Sequence, residues 1–309
     1  MKRKSIIFSF CLCVVMLPVV FGAEQPQQTN KNVNVTVSDS NSGAAKKYID
    51  IGNAYMYYEI AGQGEPVILI HAYSVDSRMW NPQFAELAKH YKVIRYDLRG
   101  YGNTDRPIEG QRYSHAQDLN KLMYFLGIQK AHIVGLSMGA AVAVDFLALY
   151  PQKVLSATIV SGGIWNLSGP IDPNGAEFIK KQGVEAYKKQ WLERVLNICG
   201  PHKNEIQPQL QQMMNDWSAW QVLHSESFGQ FNPPAAKQLK AKKPNVPVLV
   251  LIGKYDSEGS IRAGEAVLEI LPTAHKQYLP DAGHFSNMET PAEFNKALLD
   301  FLASVKAKK

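Results

Sequence analysis

His132-Ile133-Val134-Gly135-Leu136-Ser137-Met138-Gly139 joins two different patterns. His132 to Leu136 is a short apolar run of the kind buried on both faces of a parallel sheet, and Met138 to Leu149 continues as a helical pattern. The serine between them therefore stands on a tight strand-to-helix turn, which lifts its hydroxyl above the sheet. Gly135 and Gly139 fit that turn because the neighbouring chain and helix come too close for a Cβ. The helix start also offers the Met138 backbone N–H to a developing oxyanion. A Gly-x-Ser-x-Gly string is weak evidence by itself; its position between strand and helix gives it weight.

Outward from this turn, strand and helix alternate. Val67 to Ile70, Val93 to Tyr96, Ala157 to Val160 and Val248 to Ile252 are further apolar runs, with helical periods at Met79 to Lys89 and His115 to Leu126. Tyr48 to Ile51 and Tyr55 to Ile60, joined by Gly52-Asn53, predict an antiparallel hairpin. The order implies an α/β fold with a mostly parallel central sheet flanked by helices, its active site at the carboxyl ends of the strands. From Ile164 to Lys243 no strand is evident, whereas Gly183 to Cys199 and Ile206 to His224 are amphipathic. The division expected is a core from 47–163 and 244–309, with a helical cap at 164–243 inserted between core strands. Trp191, Trp217 and Trp220 are read first as packing of cap on core, with Trp217 and Trp220 as candidates for substrate contact.

The 309 residues are 46% hydrophobic and 19% charged, which excludes a disordered chain, a collagen or a disulfide-dense miniprotein. Residues 1–23 read as a secretory signal peptide: a basic start, an apolar run from Ile6 to Phe21, then Gly22 and Ala23. The run is short for a spanning helix and carries Pro18 near its end, so cleavage after Gly22 or Ala23 is expected, with a retained anchor as the alternative. The expected location is periplasmic or extracellular, without stable membrane insertion. Residues 24–46 are polar and expected as a flexible leader, in which Val33, Val35 and Val37 allow a stray edge strand. The formal charge of +6 falls to +3 once Lys2, Arg3 and Lys4 are removed, too mild for a nucleic-acid partner. Cys11 and Cys13 leave with the signal, so Cys199 has no partner for an internal disulfide and is read as a small apolar residue.

A serine hydroxyl needs a base, and the base needs a third group to fix its tautomer. Asp281-Ala282-Gly283-His284-Phe285 follows the strand His275 to Leu279 and precedes a final helix begun by Thr290-Pro291, which places His284 at a strand's carboxyl end. Asp256, in Gly253-Lys254-Tyr255-Asp256, ends another core strand. Asp281 is the rival acid, but its place before Ala282-Gly283 marks it as a turn initiator bonded to local N–H groups.

With these residues in place, the segment from Tyr48 to Val305 resembles the α/β-hydrolase fold superfamily. His71-Ala72-Tyr73 looks like the family's His-Gly-x oxyanion segment, Met79-Trp80 like its following Met-Trp, and Asp97-Leu98-Arg99-Gly100-Tyr101-Gly102 like its Asp-x-Arg-Gly-x-Gly turn. The resemblance implies Ser137 as nucleophile, His284 as base, Asp256 as orienting acid, and the Tyr73 and Met138 N–H groups as the oxyanion hole. His71, Asp97 and Arg99 are read as residues that hold loops. Ala72 departs from the family's glycine, and a positive φ there would cost on the order of 1 kcal/mol.

A serine at 137 disfavours the haloalkane dehalogenases and epoxide hydrolases of this fold, which use a carboxylate there. What the resemblance implies is a serine hydrolase of a small-molecule carboxylic ester or lactone, with an acyl-enzyme intermediate and no cofactor; the signal segment adds the expectation of export, and no His-Glu-x-x-His or Cys/His cluster supports a metal. Carbon–carbon bond hydrolysis, cofactor-free perhydrolysis, a hydroxynitrile lyase using Lys254, and a silent binding protein on the same scaffold stay open as alternatives.

Overall fold

A computed structural model describes residues 35–38, 45–164, 171–225 and 234–306. The signal segment and most of the leader lie outside them. The strands are β1 (Val35–Ser38), β2 (Ala45–Asp50), β3 (Tyr55–Ala61), β4 (Pro66–Ile70), β5 (Lys92–Tyr96), β6 (Ala131–Leu136), β7 (Val154–Val160), β8 (Val248–Gly253) and β9 (Ala274–Leu279). They form one sheet in the order β1-β2-β3-β5-β4-β6-β7-β8-β9. Pairing is antiparallel from β1 to β3 and between β3 and β5, then parallel through β9. β1 lies within the segment expected as a leader and is the edge strand that the valine alternation allows.

The apolar runs are continuous because both faces of the sheet are covered. Ile68, Ile70, Ile94, Ile133, Ile159 and Val250 join one core with the helices His115–Phe125 and Met138–Leu149. Their neighbours in sequence, Val67, Leu69, Val93, Val134, Val160 and Leu251, join a second core with Trp80, Phe294, Leu298 and Leu302. That is the period-two alternation of a strand, and each such side chain contributes about 1.5–3 kcal/mol on burial. The helix expected over Met79 to Lys89 is a 3₁₀ turn, Ser77–Trp80, capped by Asp76, followed by Asn81–Leu87 with Pro82 in its first turn.

Between β7 and β8 the described residues contain helices and no strand: Gly175–Gln182, Val184–Leu196, Lys203–Asp216, Trp220–Leu223 and Ala235–Lys242. The single helical stretch expected over Ile206 to His224 is broken. Trp217 turns extended to bury its indole, and Ala219 takes a left-handed φ of +55° before the chain coils again. Gln221 then ties this helix to the core by donating to the Gly100 carbonyl at 2.9 Å. Among the described residues no helix is long and apolar enough to cross a membrane.

Candidate active site

Ser137 sits between β6 and the following helix with φ +58° and ψ −114°, a backbone that costs of order 1–3 kcal/mol for a residue with a Cβ. The turn is held on the sheet by the Ser137 N–H, which donates to the Val160 carbonyl at 2.8 Å. Both flanking glycines are required by contact. A Cβ on Gly135 would overlap the Gly139 carbonyl, and one on Gly139 would overlap the Ile70 carbonyl and lie 2.8 Å from the His71 oxygen. The serine is thereby placed where β4, β6 and the helix start meet.

His284 Nε2 lies 2.9 Å from Ser137 Oγ, and His284 Nδ1 lies 2.8 Å from Asp256 Oδ1. The Asp256 side chain is fully buried at the end of β8. Its Oδ1 also accepts the Ser257 N–H at 2.7 Å. A carboxylate only accepts, so the proton of a neutral imidazole sits on Nδ1, and Nε2 is left to accept from the serine hydroxyl. Asp281, the rival, is exposed and makes no such contact. Nor does it hold its own loop. Glu289 does that: its buried carboxylate accepts from the Gly283 N–H at 3.1 Å, the Phe285 N–H at 3.2 Å and the Gly200 N–H of the helical insertion. Burial pushes the Glu289 carboxyl up while these donors pull it back. The His284 N–H adds a second tie to the insertion, donating to the Ile198 carbonyl at 2.9 Å. Sequence reading missed Glu289. Its one signal was a carboxylate in the short run between Phe285 and Pro291, too local to show which backbone groups it would meet.

Opposite the histidine, His71-Ala72-Tyr73 leaves β4. The N–H groups of Tyr73 and Met138 have no hydrogen-bond acceptor among the described residues. Ala72 does not take a positive φ; that conformation falls on Ser74, at +64°. The alanine therefore carries none of the strain that its departure from glycine suggested. The loop is anchored by His71, whose Nδ1 donates to the Ala72 carbonyl at 2.7 Å and whose Nε2 accepts the Leu98 N–H at 2.8 Å. Burial pushes the His71 pKa down, which keeps the ring neutral in that arrangement. Asp97 accepts from the Ser77 and Asn103 N–H groups, and Arg99 forks onto Asp118 at 2.8 and 2.9 Å. These three side chains stabilise loops and do not reach the serine.

The serine and histidine open onto a cavity of about 310 Å³. Its wall toward the insertion is Ile171, Trp191, Val195 and Ile198. Trp191 also donates from Nε1 to Ser74 Oγ at 2.8 Å, and its ring meets Tyr73 edge-on at 5.5 Å. Trp217 and Trp220 are not in this wall. Trp217 is buried behind Tyr73, ring centroids 5.1 Å apart, and Trp220 stacks on His224 at 4.3 Å. Sequence spacing placed all three tryptophans in the insertion but not which one faces the serine. Lys254 is exposed and outside the cavity. Cys199 is buried, its thiol pushed up to about 12 chiefly by burial, which leaves it protonated and inert. Among the described residues no three His, Cys, Asp or Glu side chains converge as a metal site.

Comparison with known proteins agrees with this architecture. A family model described as alpha/beta hydrolase fold matches residues 65–216. The chain is 27% identical over 269 residues to 2-hydroxy-6-oxo-6-phenylhexa-2,4-dienoate hydrolase of Burkholderia cepacia, covering 82% of this chain and 93% of that protein. Among solved structures it is similar to the enol-lactonase from Burkholderia xenovorans LB400, with a TM-score of 0.71 and 23% identity over 83% of this chain and 99% of that one. It is also similar to a thermophilic esterase from Thermogutta terrifontis, with a TM-score of 0.69 and 24% identity over 88% of this chain and 98% of that one. At these identities the two structures speak to fold.

Proposed function

We propose that this chain, of α/β-hydrolase fold, is a serine hydrolase of carboxylic esters or lactones. The observation that carries this reading is the chain of hydrogen bonds from Ser137 through His284 to buried Asp256, at the floor of a cavity. In the reaction, Ser137 Oγ attacks the substrate carbonyl as His284 Nε2 takes its proton, and the imidazolium is stabilised by Asp256. The carbonyl oxygen becomes an oxyanion facing the Tyr73 and Met138 N–H groups. Collapse expels the alkoxide, which takes the proton from His284 and leaves an acyl-Ser137 ester. Water, deprotonated by the same histidine, then attacks that ester and releases the carboxylic acid, returning the proton to Ser137.

Incubation with p-nitrophenyl butyrate tests the reading: release of nitrophenolate that disappears in Ser137→Ala supports it, and equal release from both proteins removes it. Hydrolysis of a dienoate of the kind named for the Burkholderia cepacia relative is the second reading, supported by the names of that relative and of two others of similar identity. We also propose, from the character of residues 1–23, that the protein is exported and its leader removed.

A further inference from the structure

Resting on the reading of Ser137 as nucleophile, we propose that the site takes uncharged, short apolar acyl groups and rejects acyl chains ending in a carboxylate, with Trp191, Val195 and Ile198 of the helical insertion as the determinants.

The cavity's side chains are of two kinds. Toward the insertion and Tyr73 they are hydrocarbon and aromatic apart from the Ser74 hydroxyl, which accepts from Trp191 Nε1; near the start of the helix Glu258–Ile270 they are the hydroxyls of Ser257 and Ser260. No Lys or Arg is among them. Of the three cations of the flanking helix Val184–Leu196, Arg194 pairs with Asp172 at 2.9 Å, Lys188 donates to the Asn215 carbonyl at 2.8 Å and pairs with Glu185 at 3.2 Å, and Lys189 is exposed and outside the cavity lining. Residues 165–170 and 226–233 contain no Lys or Arg either, so no cation can come from those parts of the insertion. The charged groups that do stand close to His284 are carboxylates, Asp256 at its Nδ1 and Glu289 on its loop. A carboxylate carried in on the substrate would lose its water, find no cation and face charges of its own sign, with only the hydroxyls of Ser257 and Ser260, already bonded to one another at 3.0 Å, to meet it.

The size of the site points the same way. A volume of about 310 Å³ is at the lower end for small-molecule sites. That accommodates a short acyl chain with its reacting ester. Trp191 limits extension, because its indole is fixed at one end by Ser74 and packed against Tyr73.

The test compares kcat/KM for three p-nitrophenyl esters: butyrate, 4-methylpentanoate and the succinate monoester, with spontaneous hydrolysis subtracted. The last two end in groups of the same branched shape, isopropyl and carboxylate, so their ratio isolates charge. The expected ratio is at least about 100-fold in favour of 4-methylpentanoate. Val195→Arg, with Ile198→Arg as a second variant should the first not fold, is expected to bring that ratio down by about tenfold or more through a new ion pair. Equal rates for the two branched esters in the parent protein overturn the inference while leaving the serine hydrolase reading intact. Failure to turn over any of the three above the Ser137→Ala background overturns both.

Discussion

Gly139→Ala adds one methyl group at the point where the helix after Ser137 crosses the end of β4. In the present geometry that methyl overlaps the Ile70 carbonyl oxygen and lies 2.8 Å from the His71 carbonyl. Relief to the ordinary separation of about 3.5 Å requires the helix start and the strand end to part by about 1 Å. Overpacking of this kind costs typically 1–3 kcal/mol, which for a domain of this size lowers Tm by about 2–12 °C. The catalytic effect is larger than the structural one. The helix start carries the Met138 N–H and the strand end carries the Tyr73 N–H, so the same 1 Å spreads the two oxyanion donors. A misplacement of that size costs on the order of 100-fold, and loss of one donor about 10²–10³-fold in kcat. The expected result is a kcat for a p-nitrophenyl ester lowered by about 100-fold with KM within about threefold of the parent. A folded Gly139→Ala protein with kcat within about threefold of the parent refutes the claim that these two elements jointly set the hole.

Asp256→Asn is expected to lower kcat by at least about 10²-fold with Tm retained, because the imidazole loses the acceptor that fixes its tautomer. Asp281→Asn, by contrast, should leave both kcat and stability within about 0.5 kcal/mol, since the loop it was expected to hold is bonded to Glu289; an inactive, stable Asp281→Asn would reverse the assignment. His115 is buried and its pKa is pushed down to about 3, so the unfolded chain binds a proton near pH 6.5 that the folded chain refuses. Its contribution is therefore present above about pH 6.5 and lost as pH falls, and His115→Gln should lose less stability than the parent between pH 7 and 5, by up to about 1.4 kcal/mol per unit; parallel melting curves for the two across that range would contradict this. Amino-terminal sequencing of protein recovered outside the cytoplasm should begin after Gly22 or Ala23, and a chain beginning at Met1 and partitioning with membranes would favour the anchor.

Much of this architecture was legible in the sequence because its signals are local. The apolar runs at Val67 to Ile70 and Val248 to Ile252 read as buried strands without reference to neighbours, and the two glycines around Ser137 announced a crowded turn. His284 and Asp256 were legible for a similar reason: each follows a strand directly, so its place at the sheet's carboxyl edge is set by a few residues. What depended on distant contacts was not legible. Glu289 binds N–H groups of Gly200, Gly283 and Phe285, and Gly200 is 89 positions away. The break at Trp217 comes from burial against Tyr73 and Tyr187, which outweighs the helical period of its own segment. For the same reason spacing singled out Trp217 and Trp220, while the tertiary fold turns Trp191 toward the serine.

The central claim is that Ser137 alone is activated, and a fluorophosphonate tests it most directly, because only a serine with a base and an oxyanion hole reacts with it quickly. Mass spectrometry of the digested adduct is expected to find a single phosphonylated residue, Ser137, with no labelling of Ser137→Ala. An adduct on Ser74, Ser257 or Ser260, or none on protein shown to be folded, would contradict it.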